Sequence, residues 1–362
     1  MAPPRLRAGV VGTGWWAELT HLPGLQARQD VEVAAICGRN RERLDALADK
    51  FGVKGRFADW KEMIARGGVD VVVIVTPNFL HHPVAMAALE AGKHVICEKP
   101  LALNALQARE MARTAETKER ATLTFFTHRA LAAAAQMKRL VAEGFLGTPL
   151  HVDARYFTAS YLKPGKPASW RMRRAEAGTG VLGDIGSHVI DLCRWWLGDF
   201  ERVAGQWQTR TRERIGGAVD GDEDCSFLAQ LRNGVQGVFQ ASKLAAGRGN
   251  AQRIELHGTA GSLIYEADPG VDPTWEGRLW AGRSRWTGLF PLSLPAGLTA
   301  GLDTRVNQDG RNEAYRRLTN PFFAAVRGGS AVSPDFADGA AVQAVLDAVA
   351  LSTEEGRWIE VA

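Results

Sequence analysis

The first third of the chain alternates short apolar runs with stretches in which apolar residues recur every three or four positions. The apolar runs predict β-strands, and the periodic stretches, which carry charges on their opposite side, predict amphipathic helices. Strands and helices in alternation are typical of a doubly wound α/β fold, in which right-handed crossovers build a parallel sheet. The predicted strands are Leu6–Val11, Val31–Cys37, Val69–Val75, His94–Cys97 and Thr122–Phe126, and the predicted helices are Ala17–Ala27, Arg41–Phe51, Leu80–Ala91 and Leu103–Glu119.

After about residue 145 the pattern changes, because strand-like segments follow one another with turn signals between them. This order favours antiparallel pairing, and Asn233-Gly234 between two alternating segments predicts a tight hairpin. The predicted strands are Leu150–Thr158, Val203–Thr211, Cys225–Leu231, Val235–Leu244, Arg253–His257, Ser262–Tyr265, Gly277–Ala281 and Trp358–Val361, with helices near Ile185–Leu197, Arg311–Arg327 and Ala337–Thr353. We therefore predict two domains, residues 1–127 with the parallel sheet and residues 128–362 as an α/β domain with a large, mostly antiparallel open sheet.

Composition narrows the classes of protein to consider. The 362 residues are too many for one compact core at roughly 150 residues per domain. The 44 Lys and Arg and the 40 Asp and Glu are scattered without a basic stripe, so no nucleic-acid partner is expected. Apolar runs fall short of the ~18 residues of a membrane span, and no secretory signal is recognisable, so no membrane partner or export is expected. Four widely spaced cysteines, without a C-x-x-C pair, are typical of buried free thiols in the cytoplasm.

A glycine-rich turn follows the first predicted strand. The residues Gly12-Thr13-Gly14-Trp15-Trp16-Ala17 fit the pattern G-x-G-x-x-G/A at the start of a helix. In that pattern the first glycine permits a tight turn, the second lets a pyrophosphate approach the backbone, and the small last residue lets helix and strand pack closely. The alternative is a glycine turn without a ligand, but the position inside a strand-helix unit favours dinucleotide binding.

The end of the second predicted strand bears on cofactor choice. An acidic residue that binds the ribose 2′-hydroxyl of NAD is expected there, and the chain has Gly38-Arg39-Asn40 instead. Arg39 could bind a 2′-phosphate, and Gly38 removes the carboxylate that would repel it. NADP(H) is therefore modestly favoured over NAD(H). The alternative is that Arg39, Arg41 and Arg43 are the solvated start of a helix.

Polar residues also follow the next predicted strands and open a later helix. Thr76-Pro77-Asn78 and Glu98-Lys99-Pro100 fall at the carboxyl ends of parallel strands, the edge where ligands bind in such sheets. In the segment Gly178–His188, Asp184 and His188 are four residues apart, so the carboxylate could orient the imidazole. The alternatives are a helix N-cap for Asp184 and a polar-face histidine for His188. The spacing of a metal site is absent.

Together these residues resemble the Gfo/Idh/MocA oxidoreductases, relatives of glucose-fructose oxidoreductase and inositol dehydrogenase. The resemblance covers nearly the whole chain. It rests on Gly12–Ala17, Thr76–His81, Glu98-Lys99-Pro100, Arg129, Trp170-Arg171, Asp184–His188 and the closing Glu355-Gly356-Arg357-Trp358. It implies a Rossmann domain followed by an open-sheet α/β domain, NAD(P) binding, and catalytic Lys99, Asp184 and His188 gathered at the domain junction. It also implies cofactor contacts from Gly12–Ala17, Gly38–Asn40, Thr76–Asn78, His81, Glu98, Lys99, Arg129, Trp170 and Arg171, with Tyr161 and Arg155 as weaker candidates for the site.

Two departures stand out. Many relatives read Tyr-Arg where this chain has His128-Arg129, and NAD-type members often carry Asp at position 38.

The reaction implied is reversible hydride transfer between nicotinamide C4 and a secondary alcohol or carbonyl carbon of a sugar, inositol or related polyol. His188, oriented by Asp184, would accept the hydroxyl proton, and Lys99 would stabilise charge on the same oxygen, although these two roles could be exchanged. The alternatives are a non-catalytic NAD(P)-binding regulator and a redox-assisted glycosidase of the same fold.

Assembly is predicted from the second sheet. Its helices suffice to cover one face, and apolar residues are expected on both sides of Val235–Leu244, so a homodimer or homotetramer is predicted. Pro291–Gly310, rich in Pro, Gly and Leu, is predicted to be a functional or interface loop.

Overall fold

The first sheet is parallel throughout and has the strand order β3-β2-β1-β4-β5-β6. This is the order of a Rossmann fold, in which the direction of winding reverses between β1 and β4. The doubly wound α/β prediction is therefore confirmed. The computed structural model describes residues 4–268, 276–285, 287–295, 307–330 and 332–362. The strands are β1 (Leu6–Val11), β2 (Val31–Cys37), β3 (Gly55–Phe57), β4 (Val71–Ile74), β5 (His94–Cys97) and β6 (Thr122–Thr124).

Helices connect these strands and cover the sheet. The helices are α1 (Leu22–Gln26), α2 (Arg41–Lys50), α3 (Trp60–Arg66), α4 (His81–Glu90) and α5 (Ala105–Thr117), and a π-helical turn at Ala17–His21 precedes α1. Fully buried side chains such as Val72, Val95 and Leu89 form the core between sheet and helices. Each stabilises the fold by ~1.5–3 kcal/mol. The sequence analysis lacks β3 and α3, because β3 has three half-buried residues and no apolar run.

The chain divides into two compact units, one formed by Met1–Thr127 with Arg311–Ala340 and the other by His128–Gly310 with Ala341–Ala362. The first unit ends its N-terminal segment at the predicted boundary after residue 127, but it also includes residues 311–340, which were predicted to belong to the second domain. The reason is apolar burial. The buried Tyr315 ring lies 5.2 Å from the ring of Phe125, and Phe336 and Ala340 belong to the core of the first unit.

The second unit contains a large mixed sheet with the order β16-β15-β14-β13-β7-β12-β11-β8-β17. Among the described strands of this second sheet, only β7 and β12 pair in parallel, so the prediction of a mostly antiparallel sheet is confirmed. The strands are β7 (Pro149–Phe157), β8 (Phe200–Gln208), β9 (Glu213–Arg214), β10 (Gly217–Ala218), β11 (Asp224–Leu231), β12 (Gln236–Ser242), β13 (Ala251–Gly258), β14 (Gly261–Ala267), β15 (Arg278–Arg283), β16 (Phe290–Leu292) and β17 (Ile359–Glu360); β9 and β10 form a separate ribbon.

The remaining helices include two that were not predicted from the sequence. They are α6 (Ala132–Ala142), α7 (Arg174–Ala177), α8 (Ser187–Leu197), α9 (Asn307–Val326) and α10 (Phe336–Glu355), and α6 and α7 are the unpredicted ones. A π-helical turn, Leu182–Gly186, leads directly into α8. Of the predicted loop Pro291–Gly310, the first residues belong to β16, α9 begins at Asn307, and residues 296–306 lie outside the described residues.

Strand β12 shows how the two faces of the second sheet differ. Phe239 and Ala241 are buried, whereas Gln236, Val238 and Gln240 point to the other face and are exposed. The expectation of apolar residues on both sides of this strand is therefore wrong, because two of the three outward residues are glutamines. Val238 pairs in register with the exposed Leu228 of β11, which leaves a small apolar patch within a polar face.

All four cysteines are buried and unpaired. Burial raises the pKa of the Cys37 thiol to about 12, with a further contribution from Asp59. Among the described helices, none combines the length and apolar character needed to cross a bilayer.

Candidate active site

The glycine-rich loop lies at the carboxyl end of β1 in the first unit. Gly12 has φ +127°, and a Cβ there would lie 2.1 Å from the carbonyl oxygen of Val75, so only glycine fits this turn. At Gly14 a Cβ would meet no atom within 4 Å, which leaves open space against the backbone. Ala17 is fully buried where the helix packs on the sheet. This cradle fits the pyrophosphate of a dinucleotide.

The residues after β2 have separate tasks. Asn40 caps α2 by accepting a hydrogen bond from the Arg43 backbone N–H at 2.8 Å, a role the sequence analysis does not assign to it. Arg43 donates to the Thr13 carbonyl at 3.1 Å and pairs with Glu18, so it supports the glycine-rich loop. Arg39 is exposed, and within the described part of the chain its guanidinium forms neither a hydrogen bond nor an ion pair. Of these two arginines, Arg39 is therefore the one available to a ligand.

Gly38 and Thr13 are in close proximity. A Cβ at Gly38 would lie 2.4 Å from Cγ2 of Thr13 and 2.8 Å from its Oγ1. An acidic side chain at position 38 would therefore require Thr13 to move.

The predicted ligand-binding residues after β4 are linked to those after β5 through His81. Its Nδ1 lies 3.0 Å from the Pro100 carbonyl and its Nε2 lies 3.1 Å from the Thr76 carbonyl. His81 is fully buried, and this burial lowers the pKa of the imidazole despite the opposing effect of both carbonyls. The contact ties the turn Thr76–Asn78 to the segment that carries Lys99, a bracing role that the sequence analysis does not predict for His81.

Glu98 is buried beside Lys99 and accepts hydrogen bonds from two aromatic rings. Trp16 Nε1 lies 2.7 Å from Glu98 Oε1, and His21 Nε2 lies 2.8 Å from the same oxygen. Burial alone would raise the pKa of Glu98, but the hydrogen bond and charge of His21, the charge of Lys99 and the Trp16 bond together lower it below its ordinary value. The ionised Glu98 thus ties the Trp16 ring of the glycine-rich loop to the strand end that carries Lys99, which is itself partly exposed.

In the second unit, Asp184 lies on the π-helical turn before α8. Its Oδ2 accepts a hydrogen bond from Lys243, and its Oδ1 lies 3.6 Å from Arg171 Nε. The turn is held by Asp222, whose carboxylate accepts hydrogen bonds from the backbone N–H groups of Gly180 and Leu182. Burial raises the pKa of Asp222, against the lowering effect of these two bonds. π-helical turns inside helices are frequent at functional sites.

His188, one turn further on, is 6% exposed and stacks on His128 with ring centroids 3.9 Å apart. The neighbouring Arg129 forms a bidentate ion pair with Asp191, with Nε and Nη2 at 2.8 and 2.6 Å from the two carboxylate oxygens. Both partners are buried. The adjacent residues His128 and Arg129 therefore contact α8 at two positions about one helical turn apart, His188 and Asp191. This ion pair is an unpredicted role for Arg129, which the sequence analysis assigns to cofactor binding.

Trp170 and Arg171, also in the second unit, form a stacked pair, with the guanidinium 4.3 Å from the Trp170 ring centroid. Tyr161 is buried next to Lys243 and Arg214, whose charged groups lie over its ring. Arg155 is the other weak candidate.

Arg155 pairs with Asp153 at 3.2 Å on the outward face of β7. Because side chains alternate along a strand, the next residue, Tyr156, points inward instead, with its ring centroid 6.3 Å from that of His188. Sequence alternation could have distinguished the two.

Of the predicted catalytic residues, Asp184 and His188 thus lie on the π-helical turn and on the following α8 in the second unit, and Lys99 belongs to the first unit. Lys243 and Tyr156 are additional residues that the sequence analysis misses. No group of three or more His, Cys, Asp or Glu side chains that could hold a metal occurs within the described ranges.

Comparisons with known proteins cover both units. Residues 6–126 match the Gfo/Idh/MocA profile described as an oxidoreductase family with an NAD-binding Rossmann fold, and residues 134–264 match the Gfo/Idh/MocA C-terminal domain. Levoglucosan dehydrogenase of Pseudarthrobacter phenanthrenivorans is 31% identical over 400 residues, spanning 98% of each chain. D-glucoside 3-dehydrogenase of Escherichia coli is 33% identical over 200 residues, spanning 55% of this chain and 56% of the relative.

A solved structure points the same way. That of levoglucosan dehydrogenase in complex with NADH and levoglucosan has a TM-score of 0.87 and 30% identity to this chain, covering 99% of both. The chain therefore belongs to the Gfo/Idh/MocA family of oxidoreductases, as its motifs predict.

Proposed function

We propose that this enzyme is an NAD(P)-dependent dehydrogenase that acts on a secondary alcohol of a sugar, anhydrosugar or related polyol. The observation that carries the proposal is the cluster of Asp184, His188 and Lys243 on and beside a π-helical turn. A carboxylate and an imidazole held in a partly buried polar cluster suit the binding and deprotonation of a hydroxyl group. The names of the relatives, which act on levoglucosan and D-glucosides, support this substrate class.

The proton chemistry falls to the chain's own residues. When bound, the nicotinamide supplies the hydride acceptor or donor at C4. Oxidation of a carbinol requires that its hydroxyl lose a proton, and His188 is the base that we propose for that step. We further propose that Lys99 donates a hydrogen bond to the same oxygen and stabilises negative charge on it. The exchange of these two roles is the alternative.

The dinucleotide site that we propose rests mainly on backbone. Gly12 and Gly14 would admit the pyrophosphate, and the side chains around them would enclose the rest of the cofactor. The residues proposed for this task are Gly12–Ala17, Gly38–Asn40, Thr76–Asn78, His81, Glu98, Lys99, Arg129, Trp170 and Arg171. For His81, Glu98 and Arg129 the support is indirect, because their observed bonds brace neighbouring segments.

A modest preference for NADP(H) is part of the proposal. It is supported by the exposed Arg39 guanidinium and by the absence of a carboxylate at Gly38. Levoglucosan dehydrogenase was solved in complex with NADH, so members of the family also bind the unphosphorylated cofactor.

A homodimer or homotetramer is proposed on the strength of the outward face of the second sheet. Leu228 and Val238 are 49% and 43% exposed and neighbour each other in register, which is an unusual place for two large apolar side chains. Light scattering at micromolar protein concentration tests this, and a monomer would count against it. The four buried cysteines are consistent with a cytoplasmic location.

The decisive experiment is an activity panel. Wild-type protein and the variant His188→Asn are assayed with levoglucosan, D-glucosides and myo-inositol against NAD⁺ and NADP⁺, with the reduced nicotinamide followed by absorbance. We expect turnover of at least one sugar by the wild type and loss of ~100-fold or more in kcat in the variant. Cofactor binding by the wild type without turnover of any substrate would instead favour a non-catalytic regulator.

A further inference from the structure

Lys243 is a buried lysine that the family motifs do not include. It directly follows β12 and is 5% exposed. Its backbone N–H donates to the Glu223 carbonyl and its carbonyl accepts from the Tyr161 N–H, both at 3.1 Å. The backbone at this strand end is therefore anchored on both sides, which determines where the side chain starts.

The ammonium group of Lys243 meets partners that compensate its burial. It donates to Asp184 Oδ2, lies 3.5 Å from the Tyr161 hydroxyl, and sits 4.7 Å from the centroid of the Tyr161 ring. Burial of an ammonium group without such partners carries a large desolvation penalty, so an unpaired lysine normally stays in solvent. The arrangement thus couples the position of Lys243 to that of Asp184.

Asp184 is held on both oxygens by cations. Lys243 bonds Oδ2, and Arg171, itself stacked on Trp170, lies 3.6 Å from Oδ1. The two cations restrain the position of the carboxylate from both sides. A carboxylate offers about four acceptor positions, so an ionised Asp184 can still accept hydrogen bonds from a substrate hydroxyl.

We infer that Lys243 is a positioning residue, which fixes the Asp184 carboxylate as an ionised hydrogen-bond acceptor for the substrate. The inference rests on the proposed function of Asp184. Lys243 acts through Asp184, because its own side chain is almost wholly enclosed by protein. The sequence analysis assigns the orientation of His188 to Asp184, whereas here Asp184 is itself the group that is oriented.

Three variants test the role in catalysis. Lys243→Met keeps the length of the side chain without its charge, Lys243→Arg restores a cation, and Lys138→Met is the matched control. Lys138 is a partly buried lysine of the same unit that donates to the Trp195 carbonyl, away from Asp184. We expect Lys243→Met to lower kcat/KM by ~10–100-fold with unchanged cofactor affinity, as for other residues that orient a functional ligand.

Lys243→Arg should recover most of this loss, and Lys138→Met should stay within ~2-fold of the wild type. If Lys243→Met kept the wild-type kcat/KM, the inference would be overturned, and the ion pair between Lys243 and Asp184 would have only a structural role. The inference would also be overturned if Lys243→Met lowered kcat/KM by the same factor in the Asp184→Asn background as in the wild type. The lysine would then act independently of Asp184.

A second measurement needs no substrate. Urea unfolding of the wild type, Lys243→Met, Asp184→Asn and the double variant forms a double-mutant cycle. We expect the loss of midpoint in the double variant to be smaller than the sum of the two single losses, since neither Lys243 nor Asp184 is then left behind without the other. Additive midpoints would overturn the inference even where the activity panel succeeds. Coupled midpoints with an inactive wild type would instead count against the proposed function alone.

Discussion

The glycine-rich loop of the first unit and the polar cluster of the second are built in different ways. The loop takes its shape from consecutive residues and from the backbone of Val75, which excludes any side chain at Gly12. The cluster collects side chains from distant segments, around His128, Asp184 and Lys243. A backbone-built site is readable in a sequence as spacing, whereas the pairing of side chains from distant segments is not. The polar cluster is also the more vulnerable of the two sites, because removal of one member of a buried ion pair leaves the other without its counter-charge.

The largest effect is expected at the ion pair of the second unit. Arg129→Met should lower the free energy of unfolding by ~3–5 kcal/mol, because Asp191 remains buried without this cation. Arg129→Met combined with Asp191→Leu should recover much of that loss. Urea denaturation monitored by tryptophan fluorescence measures both. If Arg129→Met lowered the free energy of unfolding by less than ~1 kcal/mol, this buried ion pair would contribute no more than an exposed one.

The variant Lys99→Ala tests whether the first unit contributes a side chain to catalysis in addition to the backbone that binds the cofactor. Lys99→Ala should lower kcat by ~100-fold or more while cofactor binding survives, because the loop that holds the dinucleotide stays intact. Steady-state kinetics and a fluorescence titration with the reduced cofactor separate the two effects. Lys54→Ala, at an exposed lysine of the same unit, is the control and should behave as the wild type. A parallel loss of cofactor affinity would assign Lys99 to binding instead.

Two glycines sharpen the contrast within the loop itself. Gly12→Ala forces a Cβ against the Val75 carbonyl at φ +127°, and we expect it to cost ~1–3 kcal/mol of stability. Gly14→Ala adds its methyl group to open space, so its unfolding midpoint should match the wild type while cofactor affinity falls. Thermal unfolding and cofactor titration of both variants check this. Equal stabilities of the two variants would refute the backbone account of the loop.

The smallest effect concerns the 2′-phosphate. Arg39→Ala should weaken NADPH binding by ~10-fold or less and leave NADH binding unchanged, because an exposed charge-assisted contact is worth little. Arg41→Ala is the matched control, since Arg41 is also exposed but pairs with Asp45. Titrations of both cofactors provide the comparison. Equal affinities of the wild type for the two cofactors, unaffected by Arg39→Ala, would show that Arg39 does not read the phosphate.

Much of the fold was predictable because its signals are local. The strands β1, β2 and β5 have the predicted limits, since each is a short and mostly apolar segment between turn residues. The affiliation of α9 was not predictable, because the helix pattern does not say which core it joins. Only packing of Tyr315 against Phe125 decides that question.

The candidate site divides in the same way. Gly12 and the pair Asp184 and His188 follow from spacing, whereas Lys243 gives no signal, because a lysine in a sequence is by default a surface residue. Arg155 and Tyr156 lie on opposite faces of β7, and the alternation that points Tyr156 toward His188 is already visible in the sequence. Charge pairing in three dimensions is the information that a single sequence lacks.

The contact between Gly38 and Thr13 bears on how cofactor specificity can evolve in this chain. An aspartate introduced at position 38 would place its Cβ 2.4 Å from Cγ2 of Thr13, so the threonine side chain would have to move to admit it. The effect of a substitution at either position therefore depends on the residue at the other, and the two positions are expected to be epistatic. A change of cofactor preference through Gly38 is expected to be easier in a background with a smaller residue at position 13.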